Sequence, residues 1–213
     1  MSLHEQLAAL DAAIRGVRAG GQGWVFVGLD GRSGAGKSTL AQAFAAAGAD
    51  GRAAVTVIDG DDFYAGGSAA TWDHRSPVER AEQVIDWRRQ LAALEQLQRS
   101  GTAEWRAFDW AAGDWDGDIA PLVETPTRVQ RRSVVMLEGA YSCRPELHDV
   151  LDLRVLLDVP VDLRRARLLR RDGAAYQADW DARWSGAENH YFGTIMTPDR
   201  FHLVLGADQP DPP

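Results

Sequence analysis

The chain has a single cysteine, Cys143, among 213 residues, which excludes an internal disulfide and a cysteine-rich zinc site. Its five histidines show no metal-ligand spacing, so no zinc centre is expected. Basic residues are outnumbered, 23 Lys and Arg against 31 Asp and Glu for a net charge of −8, which argues against a general nucleic-acid binder with its basic stripe. No apolar run approaches membrane-spanning length, and the N-terminus lacks the apolar core of a signal peptide. A cytoplasmic protein without membrane or nucleic-acid partners is the expectation. No internal repeat is visible. The length suits one domain, 1–213, with a full core. A monomer and a homo-oligomer are equally compatible with it. Tryptophan, by contrast, is abundant, with eight residues. Trp72, Trp87, Trp105, Trp110 and Trp115 cluster in the middle third; most are expected to pack, while a few are candidates to wall an aromatic ligand site.

Gly31-Arg32-Ser33-Gly34-Ala35-Gly36-Lys37-Ser38 fits the phosphate-binding pattern G-x-x-x-x-G-K-[ST]. Its glycines let the backbone curl so that successive N–H groups face phosphate oxygens. Lys37 is expected to reach the β/γ-phosphates and the Ser38 hydroxyl to hold Mg²⁺. The motif needs a strand before it and a helix after it. Trp24–Leu29 is an apolar run suited to a buried parallel strand. Ser38–Ala45 is rich in helix formers, with Gly48 as a stop. Gly31, Ser33, Gly34, Ala35, Gly36, Lys37, Ser38 and Thr39 are therefore the candidate nucleotide-binding residues.

Leu3, Leu7, Leu10, Ile14 and Val17 recur at helical spacing, and Gly20–Gly23 ends that helix. Ala53–Ile58 reads as a second strand running into the acidic loop Asp59–Tyr64, at the end of a parallel strand where ligands gather. The polar stretch with Gly66-Gly67 and Ser76-Pro77 is expected to be a loop, and Val78–Arg99 one helix. Ala103–Phe108 reads as a short strand, followed by the turn-rich 109–118. Ser133–Gly139 and Leu153–Val159 are further buried strands, and Asp162–Arg171 is a strongly basic helix. Ala174–Phe192 is helical in tendency, Phe201–Leu205 is a last short strand, and the Asp/Pro tail is expected to fray. Alternating strands and helices around a phosphate loop predict an α/β fold of the P-loop NTPase type: a five-stranded parallel sheet with helices on both faces.

Glu138 closes an apolar strand, where a charge is costly unless it meets a ligand or metal, so it is a candidate second carboxylate near Mg²⁺. Either Asp61 or Asp62 could take a proton from an attacking hydroxyl, although Asp59, Asp61 and Asp62 could also cap a turn. Arg164, Arg167 and Arg171 share one helix face, facing either developing phosphate charge or solvent, paired with Asp162 and Asp172.

Together these segments resemble the uridine/cytidine kinase family, within the P-loop small-molecule kinases that include nicotinamide riboside and pantothenate kinases. The resemblance runs from about Val25 to Leu205. Asp61-Asp62-Phe63-Tyr64 is similar to the family's D-[SD]-F-[YF] segment, which implies Asp61 as the catalytic carboxylate. Trp72-Asp73-His74 resembles F-D-H, whose aspartate binds ribose hydroxyls, and Phe108-Asp109-Trp110 resembles Y-D-[FY] beside the base. Leu137-Glu138-Gly139 resembles the F-E-G strand end near Mg²⁺. Asp162–Asp172 matches the lid helix, implying Arg164 near the ribose and Arg167 and Arg171 near phosphates. Thr197–Val204 resembles the closing stretch near the adenine.

The resemblance implies an ATP- and Mg²⁺-dependent kinase with a helical lid at about 162–186 and an acceptor-side insertion at about 60–118. Lys37, Asp61, Arg167 and Arg171 would be catalytic. Ser38, Asp61 and Glu138 would support the metal, and Tyr64, Asp73, His74, Phe108, Trp110 and Arg164 would meet a small-molecule acceptor. Three departures bear on that acceptor. The family's base-reading histidine falls at about Gly113, Phe108 lacks the tyrosine hydroxyl, and His202 replaces the closing aspartate. A nucleoside or riboside kinase is the leading expectation. A kinase of the same fold acting on a non-nucleoside alcohol is the alternative, and a nucleotide-binding switch, which needs no acceptor base such as Asp61, is the third reading.

Overall fold

A computed structural model describes residues 1–20, 23–48, 53–112, 120–173 and 178–206. Five strands make one parallel sheet: β1 (Val25–Asp30), β2 (Val55–Asp59), β5 (Val134–Glu138), β6 (Leu153–Asp158) and β7 (Leu203–Gly206), in the order β2-β5-β1-β6-β7. β1 lies at the centre, and all six of its residues are buried, as a strand covered on both faces requires. The side-chain alternation of a strand divides the core in two. Val25, Val27 and Leu29 face a cluster with Leu10 and Ile14 of α1 (Leu3–Arg18) and Leu40 and Phe44 of α2 (Lys37–Gly48). Phe26, with Ile58 and Leu137 of the neighbouring strands, faces the opposite cluster, built from Trp72, from Leu94 and Leu97 of α5 (Trp87–Ser100), and from Tyr191. Register then does the functional work. Leu29 and Asp59 both lie beside Glu138, so the C-terminal ends of β1, β2 and β5 bring Asp30, Asp59 and Glu138 to one edge.

Several expected elements differ. The polar stretch after Tyr64 is not all loop. It holds α3 (Ala69–Asp73), capped by Ser68, and α4 (Pro77–Gln83), opened by a Ser76–Glu79 capping box. The single helix expected over Val78–Arg99 is two, α4 and α5. The chain between them bridges to the acidic loop, with Tyr64 opposite Ile85 and the Asp86 N–H donating to the Phe63 carbonyl at 2.8 Å, and Asp86 then caps α5 through the Arg89 N–H. The strand expected over Ala103–Phe108 is β3 (Thr102–Trp105). It pairs antiparallel with an unexpected β4 (Thr127–Gln130) outside the main sheet. Two helices follow β6: α6 (Val161–Asp172) and α7 (Ala178–His190), the latter ending in a π turn, Tyr191–Ile195. Gly113, Trp115 and the tail after Gly206 lie outside the described residues. Among the described residues, no helix is long and apolar enough to cross a membrane.

Candidate active site

The loop between β1 and α2 curls under tight steric control. Gly34 has φ +75°, and a Cβ there would lie 2.6 Å from the Arg164 carbonyl oxygen of α6, so only glycine suits the position. Lys37 folds back over the loop, donating to the Gly31 and Arg32 carbonyls at 2.8 and 3.3 Å. Ser33 through Thr39 line a cleft of about 1620 Å³ that also takes in Asp61, Glu138, Arg167 and Arg171. Tyr64 and Trp110 line the same cleft, as do Leu3, His4 and Gln6 at the start of α1. Gln6 is held there by donating to the Gly206 carbonyl at 3.1 Å.

The three acidic residues after β2 have separate roles. Asp59 caps the 3₁₀ turn Gly60–Phe63 by accepting the Asp61 N–H at 2.9 Å. Asp62 accepts the Trp105 indole N–H at 2.8 Å. Asp61 is the member that lines the cleft. Surrounding protein, with the Asp59 charge beside it, raises Asp61 above the ordinary carboxylate range, against the pull of Lys37 and Arg171. Asp61 is nevertheless exposed to solvent at the cleft. Glu138 is buried. Desolvation pushes it up to about 7, opposed by a hydrogen bond from Ser38 and reinforced by Asp59.

Other sequence candidates are held by contacts within the protein. Gly31 lies behind the cleft, its N–H donating to Asp30 at 2.8 Å. Arg164 underpins the loop, donating to the Ser33 and Val159 carbonyls at 3.1 Å each. Arg167 donates to the Ala35 carbonyl at 2.9 Å while also lining the cleft. Asp73 turns away and takes a bidentate pair from Arg183 of α7, at 2.5 and 2.9 Å. His74 ends α3 as its C-cap. Phe108 is buried edge-on against Tyr64 and Trp110.

Two supporting carboxylates have no counterpart among the sequence candidates. Asp30, fully buried, accepts from the Gly31, Tyr141 and Cys143 N–H groups and from the Tyr191 hydroxyl, all at 2.8–2.9 Å. Its signal is the one that marks Glu138, a charge closing an apolar strand. Glu188, buried on α7, accepts the Ser33 N–H at 2.6 Å and lies 3.8 Å from Arg164. It stands in a polar run with no distinguishing pattern.

The phosphoribulokinase/uridine kinase family profile matches residues 26–182, from β1 through the phosphate loop and α6 into α7. The chain belongs to that family. Among solved structures it resembles a possible uridine kinase from Bacillus stearothermophilus at TM-score 0.70 and 21% identity, covering 96% of this chain and 100% of that one. It also resembles a candidate fructose transport system kinase from Silicibacter sp. TM1040 at TM-score 0.65 and 23% identity, covering 93% and 98%. A third relative in fold is D-glycerate 3-kinase from Cryptococcus neoformans var. grubii, at TM-score 0.61 and 11% identity, covering 96% and 95%. At these identities the likeness concerns the fold, the P-loop kinase architecture, and the named activities differ among the three. A comparison with curated proteins gives no significant match. Membership of this kinase family implies use of ATP.

The donor set around Ser38 fits Mg²⁺. Hard oxygen ligands are present in the Ser38 hydroxyl and the Glu138 carboxylate, with Asp61 in the same charge cluster. Among the described residues no group of three His, Cys, Asp or Glu forms a cage. Mg²⁺ is commonly bound through one or two carboxylates together with substrate phosphates.

Proposed function

We propose that this family member transfers the γ-phosphoryl group of ATP to a hydroxyl of a small molecule. The observation that carries the reading is that Asp61 and the phosphate loop share one cleft, which Tyr64 and Trp110 also line. The acceptor oxygen attacks the γ-phosphorus, an O–P bond forms, and the bond to the β–γ bridging oxygen breaks to release ADP. Asp61 orients the acceptor hydroxyl and receives its proton, and the upward shift of its pKa makes it a stronger base than an ordinary carboxylate. The loop amides and Lys37 hold the phosphates. Arg167 and Arg171 on α6 meet the charge that spreads over the transferring group. Ser38 and Glu138 would hold Mg²⁺, which neutralises phosphate charge when bound.

The finer reading, a riboside acceptor, asks Asp73 and Arg164 to grip vicinal hydroxyls. The Asp73–Arg183 pair and the place of Arg164 beneath the loop favour the second reading, an alcohol that is not a nucleoside. An acceptor-free switch has no use for a carboxylate held in the cleft at Asp61. The test is Asp61→Asn. ATP affinity by calorimetry should stay within about threefold of wild type, while phosphoryl transfer falls by about 100-fold or more, the upper range for a general base. Wild-type turnover in that variant, or a wild-type ATPase rate that no acceptor increases, would overturn the proposal.

A further inference from the structure

We propose that Gln6, at the start of α1, reads the base of the nucleotide donor and selects adenine over guanine. The inference rests on the kinase reading of the cleft and concerns its donor. α1 precedes the stretch that the family profile matches, residues 26–182, so the family pattern assigns it no part in the site. Sheet order fixes which part of the nucleotide it meets. Asp61 follows β2, at one edge of the order β2-β5-β1-β6-β7, and the phosphate loop follows β1 at the centre. On the other side of that loop, a Cβ at Gly31 would lie 2.6 Å from the Leu157 carbonyl oxygen of β6. The next residue, Asp158, pairs with Gly206 of β7, and the Gly206 carbonyl accepts from Gln6 at 3.1 Å. Gln6 therefore stands beyond β1 by at least two strand spacings, about 10 Å, on the side away from Asp61. A nucleotide whose γ-phosphate faces Asp61 across the loop extends its nucleoside towards β7 and α1.

The chemistry of this end suits adenine. Gln6 is only 6% exposed, and it lines the cleft. A carbonyl can only accept, so Gly206 fixes the Gln6 amide with Nε2 towards β7 and Oε1 turned away from it. Among the described residues Oε1 has no hydrogen-bond partner. An amide oxygen so nearly buried is costly to leave unpaired, and an N–H from a ligand in the cleft completes it. Met1 and Leu3, the latter 43% exposed, line the same cleft. They supply apolar surface for a ring beside the one polar group that orients it. Adenine carries an exocyclic amino donor at the position where guanine carries the O6 acceptor. The adenine amino group donates to Oε1, whereas guanine O6 would set two acceptors against each other.

Calorimetry on the full chain with Mg²⁺ measures binding of ATP, GTP and purine riboside triphosphate, the last with hydrogen in place of the 6-amino group. No acceptor is needed. Wild type should bind ATP at least about tenfold more tightly than GTP, the scale of one hydrogen bond made against one polar group left unpaired. Purine riboside triphosphate should fall between them. Gln6→Met keeps an unbranched side chain of similar length without the amide, and its ATP-to-GTP ratio should fall to within about threefold. A purely structural role for Gln6, holding α1 to β7, would weaken all three nucleotides alike and preserve the ratio; that result would overturn the proposal. Equal affinity of wild type for ATP and GTP would overturn it as well, with no substitution involved, and would leave the kinase reading intact. A wild-type chain that binds none of the three would remove the kinase reading itself.

Discussion

Asp30 offers a test of how the phosphate loop is anchored, because two forces on its carboxylate oppose each other. Burial raises its pKa, and the four donors around it lower it. Burial wins, and the carboxyl stands at about 6 against an ordinary 3.8. A folded-state pKa above the unfolded one means that folding favours the protonated form. The contribution of Asp30 to stability is then fully present below about pH 3.8 and is lost as pH rises through about 6. The gap corresponds to about 3 kcal/mol, or roughly 6–12 °C in Tm for a chain of this size. Asp30→Asn is a permanently neutral counterpart of similar shape. Its NH₂ group is best tolerated beside Tyr191, whose hydroxyl can rotate to accept, although the Cys143 N–H at the same oxygen position then lacks a partner. That defect is constant with pH, and titration of every other group is shared, so the difference between variant and wild type isolates Asp30. Urea unfolding of both proteins between pH 4 and 8 should show the variant gaining on wild type by about 3 kcal/mol as pH rises, levelling above about pH 6.5. A flat difference, or one that shifts towards wild type with rising pH, would refute the reasoning and show that the donors outweigh desolvation.

Glu188→Ala removes the acceptor of the Ser33 N–H and the close neighbour of Arg164. A hydrogen bond to a charged group contributes about 1.5–3 kcal/mol, so ATP affinity by calorimetry should fall about 10- to 100-fold; an unchanged affinity in a merely less stable protein would contradict a role in shaping the loop. Gly34→Ala forces a side chain into a left-handed conformation, against the Arg164 carbonyl. The strain alone is roughly 1–2 kcal/mol, and ATP affinity should drop at least tenfold while far-UV circular dichroism stays that of wild type; retained affinity would show that the loop adapts.

What was legible in the sequence is what local pattern encodes. β1 and β5 are continuous apolar runs because both faces of each are covered, and the charges that end β2 and β5 stand out against them. Glu138 and the acidic run after β2 could be singled out for that reason, as could the phosphate loop with its strand and helix, while the choice of Asp61 over Asp62 came from the family resemblance. The partners that give these groups meaning come from far along the chain. Asp30 ends its strand as visibly as Glu138 does, but its donors Tyr141, Cys143 and Tyr191 lie 111, 113 and 161 residues away. Asp73 sits in a triplet that suggests a ligand-facing carboxylate, and nothing local announces that Arg183, 110 residues on, takes it. The helical periodicity of Val78–Arg99 continues through residues 84–86, and the break there comes from pairing with Tyr64. β4 is a short strand with alternating partial burial, which only its antiparallel partner makes recognisable.

The central claim is that Lys37, Asp61 and the loop between β1 and α2 form one machine for moving a phosphoryl group onto an alcohol. Phosphorus NMR of wild type with ATP, Mg²⁺ and a panel of small alcohols tests it most directly. The account predicts a phosphate monoester resonance growing in step with ADP, absent in Lys37→Ala. Inorganic phosphate as the sole product with every acceptor, or a monoester formed at the wild-type rate by Lys37→Ala, would contradict it.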